Sequence, residues 1–138
     1  MHVEKYNPNP LKVHPSRAGD CMIRAICKVT GYSWYDVYDK LCETGRKYGM
    51  MPNGSFIAFM AYRDIFETER LIDVIKLKDF IESHPSGKYI LLYGKHAVAL
   101  VDGVLYDDPI TSYAKDMDYP IHRYFKLKDG EDRIDWRH

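Results

Sequence analysis

The chain has 138 residues, of which 46% are hydrophobic and 29% are charged, a composition typical of a globular protein. This length suits one core, so we expect a single domain over residues 1–138. The 20 basic residues balance the 20 acidic residues. The balance disfavours a nucleic-acid partner, because a surface that binds phosphates carries excess positive charge.

No stretch approaches the ~20 apolar residues that a membrane-spanning helix needs. The N-terminal segment MHVEKYNPNPLKVHP is polar and lacks the apolar centre of a signal peptide. We therefore expect a cytoplasmic protein with no membrane partner. The three cysteines, Cys21, Cys27 and Cys42, form no CxxC pair, which disfavours both a disulfide framework and a common zinc site.

An extended arm and then a helix are predicted at the start of the chain. Residues 1–19 hold three of the seven prolines and show little periodicity, so we expect an arm packed on the domain. The segment GDCMIRAICKVTG predicts a helix capped by Asp20 and ended by Gly31. Arg24 points away from the apolar stripe of this helix, which favours a surface position or a salt bridge near Asp20.

Further helices are predicted in the middle of the chain. The segment SWYDVYDKLCETGRKYG has Ser33 as a cap and an unbroken apolar stripe at helical spacing. NGSFIAFMAYRDIF predicts a third helix that begins near Ser55. RLIDVI, residues 70–75, predicts a short strand, and LKDFIES, residues 77–83, a short helix that ends before a proline.

Beyond Gly87 the pattern changes to strands. Four are predicted, at residues 88–93, 96–101, 104–107 and 119–127. Helices that precede an antiparallel sheet define an α+β fold class.

The dipeptide Asp102-Gly103 predicts a two-residue hairpin turn, because both central positions of a type I′ turn need positive φ. The resulting register pairs Val101 with Val104, Leu100 with Leu105 and Ala99 with Tyr106. Side chains alternate between faces, so His96 lies diagonally opposite Asp107 and on the other face from Asp108. A bulge at Tyr106 would reverse that choice. A carboxylate beside a histidine fixes its tautomer and stabilises its cation.

Cys21 is the candidate nucleophile that such a pair would serve. It lies in the first turn of a predicted helix, where unsatisfied N–H groups favour the thiolate. The backbone N–H of Cys21 is also a candidate donor to an oxyanion. Cys27 and Cys42 fall in apolar stripes, where a structural role is the simpler interpretation.

The motifs GDCMIRAI and HAVALVDGVLYDDP resemble those of the papain-like cysteine peptidase superfamily. The DC and DP pairs are similar to the compact bacteriocin-processing peptidases of ABC transporters, and the stretch HPSGKYILLYGKHAVALVDGVLYD resembles small cysteine-peptidase-like proteins of bacteria and their phages. The resemblance covers roughly residues 14–125. It implies a papain-like fold in which the cysteine opens the central helix, with Cys21 as nucleophile, His96 as general base and Asp107 as orienting acid. The resemblance to the bacteriocin-processing peptidases leaves Asp108 as an alternative to Asp107 for the role of orienting acid.

One departure from the superfamily concerns the oxyanion hole. A glutamine usually precedes the cysteine there, but this segment reads VHPSRAGDC. The candidate substitutes are Ser16, Arg17, His14 and the backbone alone. Loss of one such donor costs ~10²–10³ in rate. Tyr93, Gly94 and Lys95, just before the histidine, are candidate substrate-binding residues.

The sequence therefore predicts a thiol hydrolase that cleaves a peptide or isopeptide amide in a peptide or protein substrate, with no metal or organic cofactor. Two alternatives remain. One is a catalytically silent papain-like binding module, such as a phage or bacterial inhibitor or adaptor; the other is a transglutaminase-like acyltransferase or amidase. Metal binding by Cys21 and His96 is disfavoured by their spacing. No pattern indicates an oligomeric state.

Overall fold

The computed structural model describes residues 2–6, 21–49, 66–93, 96–107 and 120–127, and every structural statement below concerns these residues. In chain order the described elements are β1 (His2–Lys5), α1 (Cys21–Thr30), α2 (Trp34–Tyr48), β2 (Phe66–Lys76), α3 (Leu77–Ser83), β3 (Lys88–Tyr93), β4 (His96–Val101), β5 (Val104–Asp107) and β6 (Pro120–Leu127).

Local signals set the end of α1 and the start of α2 as predicted. At the end of α1, Gly31 adopts φ 81° and its N–H donates to the Cys27 carbonyl at 2.9 Å. The Ser33 hydroxyl caps α2 by accepting from the Asp36 N–H at 3.2 Å. The predicted cap of α1, Asp20, lies outside the described residues.

The sheet has six strands in the order β1-β5-β4-β3-β6-β2. The five strands from β5 to β2 in this order are antiparallel to one another, as expected, so the protein is α+β with helices followed by an antiparallel sheet. β1 differs, because it pairs with β5 in parallel. Within the segment 1–19 predicted to be an extended arm packed on the domain, residues 2–5 form an edge strand of the sheet. The rest of that arm, residues 7–19, lies outside the description.

The middle of the chain departs from the prediction at one strand. β2 runs from Phe66 to Lys76 and is longer than the predicted 70–75. Phe66, the last residue of the predicted third helix, belongs to this strand because it pairs with Leu127 of β6. The remainder of that predicted helix, including Ser55, lies outside the described residues. The short helix at 77–83 and the strands at 88–93, 96–101 and 104–107 have their predicted bounds.

Two apolar clusters cover the two faces of the sheet. α1 and α2 pack on one face, against Ile90, Leu92, Ala97, Ala99 and Phe125. α3 packs on the other, against Tyr89, Leu91, Val98, Leu100, Leu105 and Ile121. Alternate residues of β3 and β4 thus enter opposite clusters, as the two-residue period of a strand requires. No described helix is long and apolar enough to cross a membrane.

The hairpin of β4 and β5 has the predicted register. Its turn residues Asp102 and Gly103 adopt φ 48° and 81°, and the ladder runs from Val101–Val104 to Ala99–Tyr106. The Asp102 carboxylate also accepts from the Gly87 N–H at 2.9 Å, which ties the turn to the start of β3. This hairpin fixes the separation between His96 and Asp107.

Candidate active site

Cys21 begins α1, whose axis lies over the face of the sheet that presents Ala97 and Ala99. Its thiol hydrogen-bonds with the ring of His96 and with the backbone of Ala97, both at the start of β4. The residue is 6% exposed, so the sulfur lies within the structure but against polar groups. The predicted nucleophile and the predicted base are therefore in contact.

His96 and Asp107 form a buried pair across the hairpin. The distance from His96 Nε2 is 2.9 Å to Asp107 Oδ2 and 3.1 Å to Oδ1. The residues are 5% and 3% exposed. Because Nε2 faces the carboxylate, Nδ1 is the ring nitrogen that can exchange a proton with the Cys21 thiol.

Strand alternation alone does not explain this meeting of groups. Because alternate residues of a strand share a face, His96 and Asp107 are expected on the same face as Val98, Leu100 and Leu105, which pack under α3. Both residues lie beyond the last pair of the β4–β5 ladder, Ala99–Tyr106, although His96 pairs with Tyr93 of β3 and Asp107 with Lys5 of β1. There they reach side chains of α1, the helix on the opposite face.

Arg24 is a fourth member of the cluster, and it corrects the expectation of a surface position or a salt bridge near Asp20. It is 4% exposed, and its Nη2 lies 3.7 Å from Asp107 Oδ1. The spacing of three residues places Arg24 on the same helix face as Cys21. This spacing is the sequence signal that links Arg24 to Cys21, whereas the apolar stripe of the helix indicates only that Arg24 lies off the stripe.

The surroundings of Cys21 favour its thiolate. Burial by itself would raise the pKa of the Cys21 thiol. Hydrogen bonds with His96 and Ala97, together with the positive charges of His96 and Arg24, outweigh burial and lower the pKa below its ordinary value. Part of the cause is therefore a cation that the sequence did not assign to the site.

The surroundings of His96 favour its cation. Burial would lower the pKa of the imidazole, but hydrogen bonds with Asp107 and Cys21 and the negative charges of both raise it to about 9. The lowered pKa of the thiol and the raised pKa of the imidazole both favour a thiolate–imidazolium pair over the neutral pair. Such a pair can attack a carbonyl carbon and protonate a leaving group.

Several predicted site residues lie outside the described part of the chain: Asp108, Ser16, Arg17, His14, Gly94 and Lys95. The backbone of Tyr93 ends β3 opposite His96. All three cysteines are free thiols; Cys27 is buried and Cys42 is half-buried. Within the described residues, no group of three or more His, Cys, Asp or Glu side chains is arranged to hold a metal ion.

Comparison of the chain with family models, with curated proteins and with solved structures gave no match. The geometry of the four buried groups is therefore the basis for inferring a function.

Proposed function

We propose that the protein is a thiol hydrolase of papain-like type, in which Cys21, His96 and Asp107 act as nucleophile, acid–base group and orienting acid. The observation that carries the proposal is the continuous contact from the thiol through the imidazole to the carboxylate, within one buried cluster. Three groups in this order are what nucleophilic catalysis by cysteine requires.

The reaction proceeds in two halves. The Cys21 thiolate attacks the carbonyl carbon of an amide, and a sulfur–carbon bond forms. His96 donates its proton to the nitrogen as the carbon–nitrogen bond breaks, which leaves an acyl-enzyme. Water then attacks the acyl carbon while His96 accepts one of its protons; a carbon–oxygen bond forms, the carbon–sulfur bond breaks, and the carboxylic acid leaves with the Cys21 thiolate and the His96 imidazolium restored. Asp107 holds the ring throughout, and the backbone N–H at the start of α1 is the proposed donor to the oxyanion.

Differential alkylation of the three cysteines tests the proposal. If accessibility alone governed the rate, half-buried Cys42 would react faster than Cys21. If thiolate content governs it, iodoacetamide at about pH 6 should label Cys21 at least ~10-fold faster than Cys42. Peptide mapping by mass spectrometry measures both rates in one sample, and Cys42→Ser is the control. Equal rates, or faster labelling of Cys42, would overturn the proposal.

Acyl-enzyme formation tests the next step. An activated ester such as p-nitrophenyl acetate should give a burst of nitrophenol and a stable mass increase on Cys21, and Cys21→Ser should give neither. Adding an amine during turnover distinguishes hydrolysis from acyl transfer. An amide product as the main outcome would reassign the protein to the acyltransferase alternative.

A second candidate is a binding module that keeps this arrangement without turnover. The low exposure of Cys21, 6%, favours it, because a catalytic thiol must meet its substrate. A silent module predicts slow alkylation of Cys21 at every pH and no burst with the ester. The two experiments above therefore separate the candidates.

A further inference from the structure

Arg24 lies inside the protein although arginine is almost never fully buried unless it is paired. Its guanidinium lies 3.7 Å from the carboxylate of Asp107, and the Asp107 side chain is 2% exposed. The same carboxylate accepts from His96 through both oxygens. Asp107 is therefore held between an imidazole from β4 and a guanidinium from α1.

We propose that Arg24 is a positioning residue of the thiol site, which fixes Asp107 against His96 and supplies the positive charge that lets a thiolate form beside a buried carboxylate. This inference rests on the proposed function, because it assigns a role in forming the Cys21 nucleophile. Arg24 is not proposed to touch the substrate.

The sum of charges explains why a fixed cation is needed. In the reactive state the cluster contains two anions, the Cys21 thiolate and Asp107, and two cations, imidazolium His96 and Arg24. Without Arg24 the same state would bury a net negative charge, which is costly in a poorly solvated site. Arginine suits this role because it stays protonated at every accessible pH.

Geometry supports a role for Arg24 toward both anions. Arg24 follows Cys21 by three residues on α1, so the two side chains leave the same face of the helix. In the described part of the chain, the charged groups that face Cys21 are Arg24 from α1 and His96 from β4. Asp107 from β5 faces His96 and Arg24.

The test is the pH profile of Cys21 alkylation by iodoacetamide, which needs no substrate. Arg24→Met removes the charge, Arg24→Gln removes it but keeps polar atoms, and Arg24→Lys restores it. Lys28→Met is the matched control, because it removes a cation from the same helix, one turn farther along, where the side chain contacts two tyrosine rings.

Loss of the positive charge should move the pH profile of alkylation toward higher pH. The pKa of Cys21 should rise because its thiolate loses a stabilising cation, and the pKa of His96 should rise because the imidazole then faces Asp107 without Arg24. At about pH 6 we expect Arg24→Met and Arg24→Gln to be alkylated ~10-fold more slowly than wild type. Arg24→Lys should stay within ~2-fold of wild type, because the contact at 3.7 Å is ionic and a point charge can replace it. Lys28→Met should not move the profile.

A merely structural role predicts a different result: both neutral variants would melt at lower temperature with an unchanged profile, and that outcome overturns the inference. If both fail to fold, the wild-type protein provides the test. The ¹⁵N resonances of the Arg24 side chain should shift with the same midpoint as Cys21 alkylation, and a flat titration would overturn the inference.

Failure of this inference is distinguishable from failure of the proposed function. If wild-type Cys21 reacts no faster than Cys42, the proposed function fails whatever Arg24 does. If wild-type Cys21 reacts fast and the neutral variants do the same, only the role of Arg24 is overturned.

Discussion

The two ends of α1 carry similar residues in different surroundings. At the N-terminal end, Cys21 and Arg24 meet His96 and Asp107. At the C-terminal end, a second buried cysteine, Cys27, is followed by a second cation, Lys28. There the Lys28 ammonium lies 3.9 Å from the ring centre of Tyr106 and 5.4 Å from that of Tyr6.

The two ends of α1 differ in the groups that surround them. Burial, with a smaller contribution from nearby Cys27, raises the pKa of the Tyr6 phenol, so Tyr6 stays protonated and neutral. Cys21 instead faces a histidine whose pKa is raised and whose cation persists at neutral pH. The N-terminal end of α1 forms a cluster of paired charges. At the C-terminal end, Lys28 makes cation–π contacts with Tyr6, which follows β1, and with Tyr106 of β5.

Matched substitution of the two cysteines should give the largest contrast. Cys21→Ser removes the proposed nucleophile, so we expect complete loss of the fast alkylation phase and a loss of any hydrolytic activity by more than ~10³-fold. Cys27→Ser should keep that phase and lower the free energy of unfolding by about 1–2 kcal/mol, because it buries a hydroxyl. Peptide mapping and urea denaturation measure the two effects. Fast labelling in Cys21→Ser would show that another thiol is the reactive one.

Asp107→Asn should disrupt the cluster of charges at the N-terminal end of α1 while leaving the β4–β5 hairpin in place. Loss of the carboxylate lowers the pKa of His96, and leaves the buried charge of Arg24 without this partner. We expect alkylation of Cys21 at pH 7 to slow by about 10-fold or more, and stability to fall by about 3–5 kcal/mol.

Asp102→Asn is the control for Asp107→Asn. It makes the same change at the exposed turn of the same hairpin, where asparagine also tolerates positive φ. It should leave the alkylation of Cys21 unchanged. Equal effects of the two substitutions would contradict the assignment of Asp107.

Stability should depend on pH through His96. The pKa of His96 is raised from 6.5 to about 9 on folding. Its contribution to stability is therefore full below pH 6.5 and is lost as the pH rises through about 9. Cys21 acts in the opposite direction: its lowered pKa stabilises the fold above its ordinary pKa, and this is lost as the pH falls through the folded value.

The His96 contribution can be isolated in a Cys21→Ser background. The difference in unfolding free energy between this variant and Cys21→Ser/His96→Gln should shrink by on the order of 2 kcal/mol from about pH 6 to about pH 9.5. Urea denaturation at each pH measures it. A difference that stays constant, or grows with pH, would contradict a raised pKa for His96.

The smallest effect is expected at the other end of the helix. Lys28→Met removes the cation–π contacts with Tyr106 and Tyr6, so unfolding should require about 0.5–1 kcal/mol less free energy. Alkylation of Cys21 should not change. A slower rate would mean that the two ends of α1 are electrostatically coupled.

Local parts of the fold were predictable because short-range chemistry decides them. The Asp102-Gly103 turn needs positive φ at two positions, and this sets the register that brings His96 to Asp107. Hydroxyl and glycine caps likewise predicted where α2 begins and α1 ends. In each case the partners lie close together along the chain or are joined by a tight turn.

The tertiary structure alone decided which side chains from distant segments share one buried space. The likeness to papain-like proteins predicted a contact between Cys21 and His96, but strand alternation places the histidine on the face away from α1. The burial of Arg24 and the parallel pairing of β1 were also not predicted. Periodicity describes the faces of one element, whereas the ends of a sheet, where these groups meet, depend on how elements pack in three dimensions.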